Sequence, residues 1–437
     1  MTVSSYTQAL QDVAEQLPGA SLPWLQQLRS TGFTEFVNQG FPKAQDEDWR
    51  YSNLSALTKK SFTLALAESD AVTISNSIAR YKLANAWVVV LVDGRYRAEL
   101  SCLEGLPQGV ELSSLSEVLR THPDKVKAYL GEAVLGSKHG FIALNNAGFI
   151  DGIVLRVPTK QVLDKPIQCL HWSSQANQFV LTRTIVIVES FAQAQFVETF
   201  AGSDAGYLTS ALTEVFVGEN AGLTMYKQQS ESEQAYHYGG IYVQQAPYSR
   251  FAHHNFAFGA LLARTDIACT LEQAADCELN GLYLGAKRQH IDNHTRINHA
   301  KPYATSREVY KGVLDERARG VFQGRVIVAE DAQKTDSAMS NRNLLLSDAA
   351  EADTKPQLEI YADDVKCSHG VTVGQLDEQS VFYLKSRGID ETAARNMLTF
   401  AFANEMVDKL TVADLHEAVL AALLAKFPQQ AINPAWL

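Results

Sequence analysis

The sequence predicts a mainly β protein, a long stack of short strands set between two small helical units, and three observations predict it. Apolar residues recur at helical spacing only near the two ends of the chain. From about residue 86, runs such as "AWVVVLVDGRYRAEL", "GFIDGIVLRVP", "FVLTRTIVIVES" and "ALTEVFVGENAGLTMYKQ" are short, β-branched or alternating, and closed by Gly, Asn or Asp. With 437 residues, 46% of them hydrophobic, the chain has the material for about two to three structural units.

At the N-terminus, "YTQALQDVAEQL" carries Leu10, Val13, Ala14 and Leu17 on one helical face. Pro23 is well placed to open a second helix, which Leu25 and Leu28 continue. The long strand-rich middle is compatible with a sandwich, a barrel or a stacked solenoid. The segments "CELNGLYLGAKRQ", "GVFQGRVIVAEDAQ" and "DVKCSHGVTVGQL" share a turn-then-strand rhythm, which favours a β-helix-like stack although no exact period emerges.

The end of the chain is helical again. Asp390 is a good N-cap for "ETAARNMLTFAFANEM", with Ala394, Met397, Leu398, Ala401 and Phe402 on one face. Thr411 with Asp414 reads as a capping box opening "VADLHEAVLAALLAKF", and Pro428 follows its end.

Composition excludes several functions. The 38 basic and 49 acidic residues leave a net charge of −11, so a broad nucleic-acid or anionic-membrane surface is not expected. Five scattered cysteines (Cys102, Cys169, Cys269, Cys277 and Cys367) form no CxxC pair, which points to a reducing compartment and away from a self-contained metal cage. The N-terminal stretch lacks a basic n-region and an apolar h-region, and no apolar run approaches the roughly 18 residues a membrane span needs. A cytoplasmic protein is expected. There is no GxxxxGK[ST], no G-x-S-x-G and no GxGxxG opening a helix, so the chain carries no recognisable ATPase, serine-hydrolase or dinucleotide engine.

Two places could carry chemistry. "RQHIDNHTRINHA" holds His290, Asp292, His294 and His299. As a helix it would lack the Glu of HExxH, whose place Ile291 takes; as a strand it sets His290, Asp292, His294 and Arg296 on one solvated face. The adjacent His253 and His254 would face opposite sides of a strand and are expected to be structural. In "DDVKCSHG", Cys367 and His369 would project from the same face, with Ser368 turned away. A thiolate and an imidazole suit a soft or borderline ion such as iron, but supply only half of a four-ligand shell. The other half would have to come from another chain.

The run from Tyr310 to Ile389 contains "FQGR", "AQKTD", "NRNLLLS", "TKPQLEI" and "DDVKCSHG" in that order, and "HIDNHTRINHAKPYATS" and "DEDWRYSNL" lie upstream. In these pieces the chain resembles the SufB/SufD family of iron–sulfur cluster assembly scaffolds, and "KCSHGVTVG" is similar to the SufD type. The resemblance implies a right-handed parallel β-helix core (76–376) between an N-terminal mostly helical domain (1–75) and a C-terminal helical domain (377–437). It implies a non-catalytic subunit that pairs with SufB and docks the ATPase SufC on its C-terminal helices, serving apo acceptor proteins indirectly, with self-association into a homodimer when isolated.

On the same resemblance, His369 holds the family's position for a ligand to a nascent iron–sulfur cluster shared with SufB, with Cys367 beside it to receive iron or sulfur. A role in iron acquisition and an association of the complex with reduced flavin also follow from it. The competing class is a metal-dependent hydrolase or oxygenase on a β-scaffold, built from His290, Asp292 and His294 with His299 or His369.

Overall fold

In the computed structural model, which describes residues 2–65, 70–134 and 139–426, the centre of the chain is a parallel β-solenoid of about eight turns. Its strands alternate between two ten-stranded sheets. One sheet contains Leu208–Val217, Tyr236–Gln245, Leu262–Leu271, His290–His299, Arg319–Val328 and Glu351–Ile360; the other contains Gly222–Gln229, Arg250–Ala257, Asp276–Gly285, Thr305–Leu314, Asp336–Leu345 and Lys366–Gly374. Each residue therefore sits directly above its counterpart one turn earlier, as Tyr236 does between Leu208 and Leu262.

The corner that leads from the first sheet into the second recurs with one backbone signature. Phe191, Asn220, Tyr248, Ala274, Tyr303 and Lys334 all take positive φ, and each is followed by a small or short side chain: Ala192, Ala221, Ser249, Ala275, Ala304 and Thr335. The left-handed residue turns the chain, and the buried one after it fits the narrow edge of the solenoid. Its spacing of 26 to 31 residues drifts. That drift is why no exact period stands out in the sequence.

Three apolar layers hold the stack. Inward-facing residues of both sheets, among them Val215, Met225, Ile241, Phe251, Ile267, Leu279 and Phe322, pack along the axis. The N-terminal helices Thr2–Val13 and Pro23–Gln39 cover the outer face of the first sheet, joining Leu10 and Phe36 to Phe179 and Leu212. The C-terminal helices Glu391–Val407 and Ala413–Leu424 cover the outer face of the second, joining Phe400, Val407 and Leu415 to Tyr226, Leu282 and Val313.

Several helical expectations change. Leu10, Val13 and Leu17 are buried as read, but Ala14 is exposed because the helix ends at Val13. Short helices at Leu115–Thr121 and Gly140–Gly148 interrupt the run expected to be strand throughout. Asp390 caps its helix through Ala393 N at 3.0 Å and Ala394 is buried as read, yet the rest of the buried stripe is Ala393, Phe400, Ala403 and Val407, so Ala401 is exposed and Met397, Leu398 and Phe402 are half-buried. No capping box forms at Thr411. Its hydroxyl lies 2.8 Å from the Tyr226 hydroxyl and accepts from Gln195, while Asp414 accepts from the backbone of Asn85. Both polar side chains tie the helix to the solenoid instead of to itself. Pro428 lies outside the described residues.

Candidate functional site

The stack ends without a cap. Lys366–Gly374 pairs on one side with Asp336–Leu345, and Glu351–Ile360 on one side with Arg319–Val328; among the described residues no strand follows either. Cys367 is in register with Ser337 and His369 with Met339, both buried in the axis of the solenoid, so thiol and imidazole share its inner face as the alternation predicted. Ser368 is in register with Ala338 on the other face.

With no further turn above it, the inner face of this strand is open. His369 is exposed, and the inward-facing Val371 and Val373 are 36% and 46% exposed. The other face is open too, since a Cβ on Gly370 or Gly374 would meet nothing within 4 Å. Cys367 is half-buried against the axial core, and that burial raises its thiol pKa despite the Ser337 backbone amide pulling it down. Among the described residues, no group of three or more His, Cys, Asp or Glu is placed to hold a metal ion. The pair is thus a thiol and an imidazole side by side on an unpaired sheet edge, the kind of edge that recruits another chain.

The histidine segment is a strand, His290–His299, with His290, Asp292 and His294 on its outer face. Arg296 on the same face is exposed as read, but the face is not solvated at His290, Asp292 and His294, because the segment around Glu47–Leu54 lies over it. The Ser52 hydroxyl sits 2.7 Å from His290 Nε2 and donates to Asp292. Arg264 donates to Asp266 at 2.8 Å, to Asp292 at 2.9 Å and to the Asp48 carbonyl at 2.7 Å, and its guanidinium stacks on Trp49.

Burial alone would raise both carboxyl pKa values. The Arg264 charge and the bond from His139 reverse that for Asp266, and His294 and Arg264 do so for Asp292, which holds both well below the usual carboxylate range. Burial lowers His139 and His290. Ser52, Asp48 and Trp49 thus tie the N-terminal segment to His290, Asp292 and Arg264 of this outer patch, and His299 points the other way, into the axis, bonded to Ser306 at 2.9 Å. The structure therefore does not bring His290, Asp292 and His294 together with His299 or His369.

His253 and His254 do face opposite sides, His253 into the axis and His254 stacked on Tyr226 beneath the C-terminal helices. The sequence reading missed a second Cys-x-His, Cys169-Leu-His171, at the other end of the same sheet. Cys169 Sγ lies 3.3 Å from His171 Nε2. Burial pushes that thiol up and that imidazole down to about 3, so both are neutral and the pair is a closed core contact. Pattern alone does not separate the two pairs; position in the stack does. The trio Trp49, Ser52 and Arg264 was equally hidden, since Arg264 lies more than 200 residues from the other two in sequence.

Beyond the last strand, the helix Glu378–Ser386 is capped by Asp377 and presents Phe382 and Tyr383, 72% and 58% exposed. No helix among the described residues is long and apolar enough to cross a membrane.

Comparison with known proteins bears on this arrangement. Residues 2–169 match the family model of the SufBD protein N-terminal region, and residues 171–402 that of the SUF system FeS cluster assembly, SufBD core domain. The chain is 32% identical to an iron-sulfur cluster assembly SufBD family protein of Synechocystis over 86% of its length and 85% of the relative's. It is 30% identical to the iron-sulfur cluster assembly protein SufD of Escherichia coli, covering 90% of this chain and 91% of that one. It is also 28% identical to the chloroplastic protein ABCI7 of Arabidopsis thaliana, over 93% and 87%.

Proposed function

Since this chain belongs to the SufBD family and is a SufD-like protein of SUF-system iron–sulfur cluster assembly, we propose that it is a non-catalytic cytoplasmic scaffold subunit that completes its ligand set with a second, SufB-type chain. The observation that supports this reading best is the uncapped last turn. His369 and Cys367 stand side by side on an open inner face, at a strand edge with unpaired backbone groups. A partner solenoid laid edge to edge would pair those groups, bury Val371 and Val373, and bring its own thiolates to the two side chains.

In this mechanism the nascent cluster is cargo, held by His369 through an imidazole nitrogen and received with the help of Cys367. The raised pKa keeps the Cys367 thiol protonated until a cation or a partner group favours the thiolate, so loading releases a proton. An ATPase of the SufC type docks on the C-terminal helices, with Phe382 and Tyr383 as the exposed apolar contacts. ATP-driven movement reaches the solenoid through Lys311, which donates to Glu405 at 2.5 Å and to the Phe402 carbonyl, and through Thr411 on Tyr226. Iron and reduced flavin enter at the level of the assembled complex, and apo acceptor proteins receive the product from it.

The test is to co-express the tagged chain with the SufB-type and SufC-type proteins of its own organism, purify anaerobically and measure stoichiometry. Recovery of one SufB-type chain with the ATPase is the expected result. Recovery of the chain alone with tightly bound metal would overturn it.

A further inference from the structure

The interior of the solenoid is not uniformly apolar. Between Arg250–Ala257, Asp276–Gly285 and Thr305–Leu314 on one side and Leu262–Leu271 and His290–His299 on the other, six polar side chains face inward: His253, Asn255, Asn293, Thr295, Glu308 and Tyr310. None is more than 4% exposed. Asn255 Nδ2 reaches across the axis to Asn293 Oδ1 at 2.9 Å, which leaves Asn255 Oδ1 and Asn293 Nδ2 without a protein partner. Both ring nitrogens of His253 and Tyr310 Oη are in the same position, and the Glu308 carboxyl has the Thr295 hydroxyl beside it as its one weak protein partner.

So many unpaired polar atoms in one enclosed place demand a bound partner, because each would otherwise carry its full desolvation cost. The mixture identifies the partner. A cation would need acceptors alone, whereas Asn293 Nδ2 is an obligate donor and Asn255 Oδ1 an obligate acceptor. Water, which donates and accepts, suits all of them. The groups that interact with Glu308 are Thr295, Tyr310 and Cys277, and none of them is a cation.

We propose that this stretch of the solenoid encloses a bound-water cluster, with Glu308 held in it as a carboxylic acid that donates to the water. Gly281 and Gly312 bring the Tyr310 and Tyr283 rings close against the strands, and Phe322 and Met339 lie in the axial core toward the open end. Burial raises the Glu308 pKa to about 8, an effect the Thr295 hydroxyl opposes only in part. Glu308, Met339 and His369 lie in register on consecutive strands of one sheet, so the acid sits about 10 Å from the imidazole by strand spacing. The inference stands apart from the scaffold reading, since it concerns the isolated chain.

The test is a crystal structure of the full chain at a resolution that orders water, with infrared spectra of wild type and Glu308→Gln. The expected result is water density bridging Glu308 to Thr295 and Asn293, together with a carboxylic-acid carbonyl band below pH 7 that shifts in D2O and is lost in the variant. A metal or alkali cation against an ionised Glu308, or side chains closed on one another with no density between them, would overturn it. Should Glu308→Gln fail to fold, the wild-type band decides: present below pH 7 and lost near pH 8 supports the proposal, absent at all pH values overturns it.

Discussion

The guanidinium of Arg264 lies 3.6 Å from the centre of the Trp49 ring, and this contact lies at the middle of the network that joins the N-terminal segment to the outer face of the solenoid. Both side chains are buried, and the arginine's fork is filled by Asp266, Asp292 and the Asp48 carbonyl. The stack is a cation–π contact out of solvent, backed by a closed ion-pair network. Trp49→Ala is therefore expected to cost about 3–5 kcal/mol in urea unfolding, with Trp49→Phe costing clearly less. A loss under about 1 kcal/mol would show that the segment is held elsewhere.

Tyr310 and Gly281 form a second specific pair. They are in register on adjacent strands, and a Cβ on Gly281 would stand 2.2 Å from Tyr310 Cε1. Gly281→Ala should destabilise by about 1–3 kcal/mol through overpacking. In a Tyr310→Leu background the same change should cost at least ~0.5 kcal/mol less, and strict additivity in that double-mutant cycle would remove the steric explanation.

Glu308 gives the stability a pH dependence. Its folded pKa of about 8 exceeds the ordinary 4.5, so between those values the native state holds a proton that the unfolded chain has released. Its contribution is complete below about pH 4.5 and is lost as pH rises through about 8. Denaturation midpoints at several pH values across that window should fall with pH in wild type and fall less steeply in Glu308→Gln. Parallel curves would mean that Glu308 does not titrate there.

His369 should separate folding from function. Its side chain is exposed on the last strand, so His369→Ala should leave thermal stability within about 0.5 kcal/mol of wild type. Cluster assembly by the complex should be lost in the same variant while partner binding persists. Full assembly activity in that variant would reduce His369 to a surface residue.

Much of the fold was legible because alternation and turn residues are local signals. The strand reading of "RQHIDNHTRINHA" placed His290, Asp292 and His294 on one face, and the spacing of Cys367 and His369 placed them together. What covers a face is a tertiary fact. The same alternation that set Asp292 outward could not say that Ser52 and Arg264 would close over it. The Thr411 and Asp414 pattern misled for a related reason, since groups that could cap a helix found partners on Tyr226 and Asn85. Glu308 carries no sequence signal at all, because a single acidic residue in an alternating strand reads as solvent-facing until the register buries it.

A stack in which each turn touches only its neighbours would be free to fray from its open end, losing one turn at a time. Two clasps work against this. Ser52 reaches Asp292 across 240 positions of sequence, and Thr411 reaches Gln195 and Tyr226 across 216 and 185. The first pins the chain's beginning near the late turns, and the second pins its end near the early ones. An otherwise linear array thereby acquires the cooperativity of a closed ring, and hydrogen exchange should find its middle turns opening together, with only the strand that carries His369 released on its own.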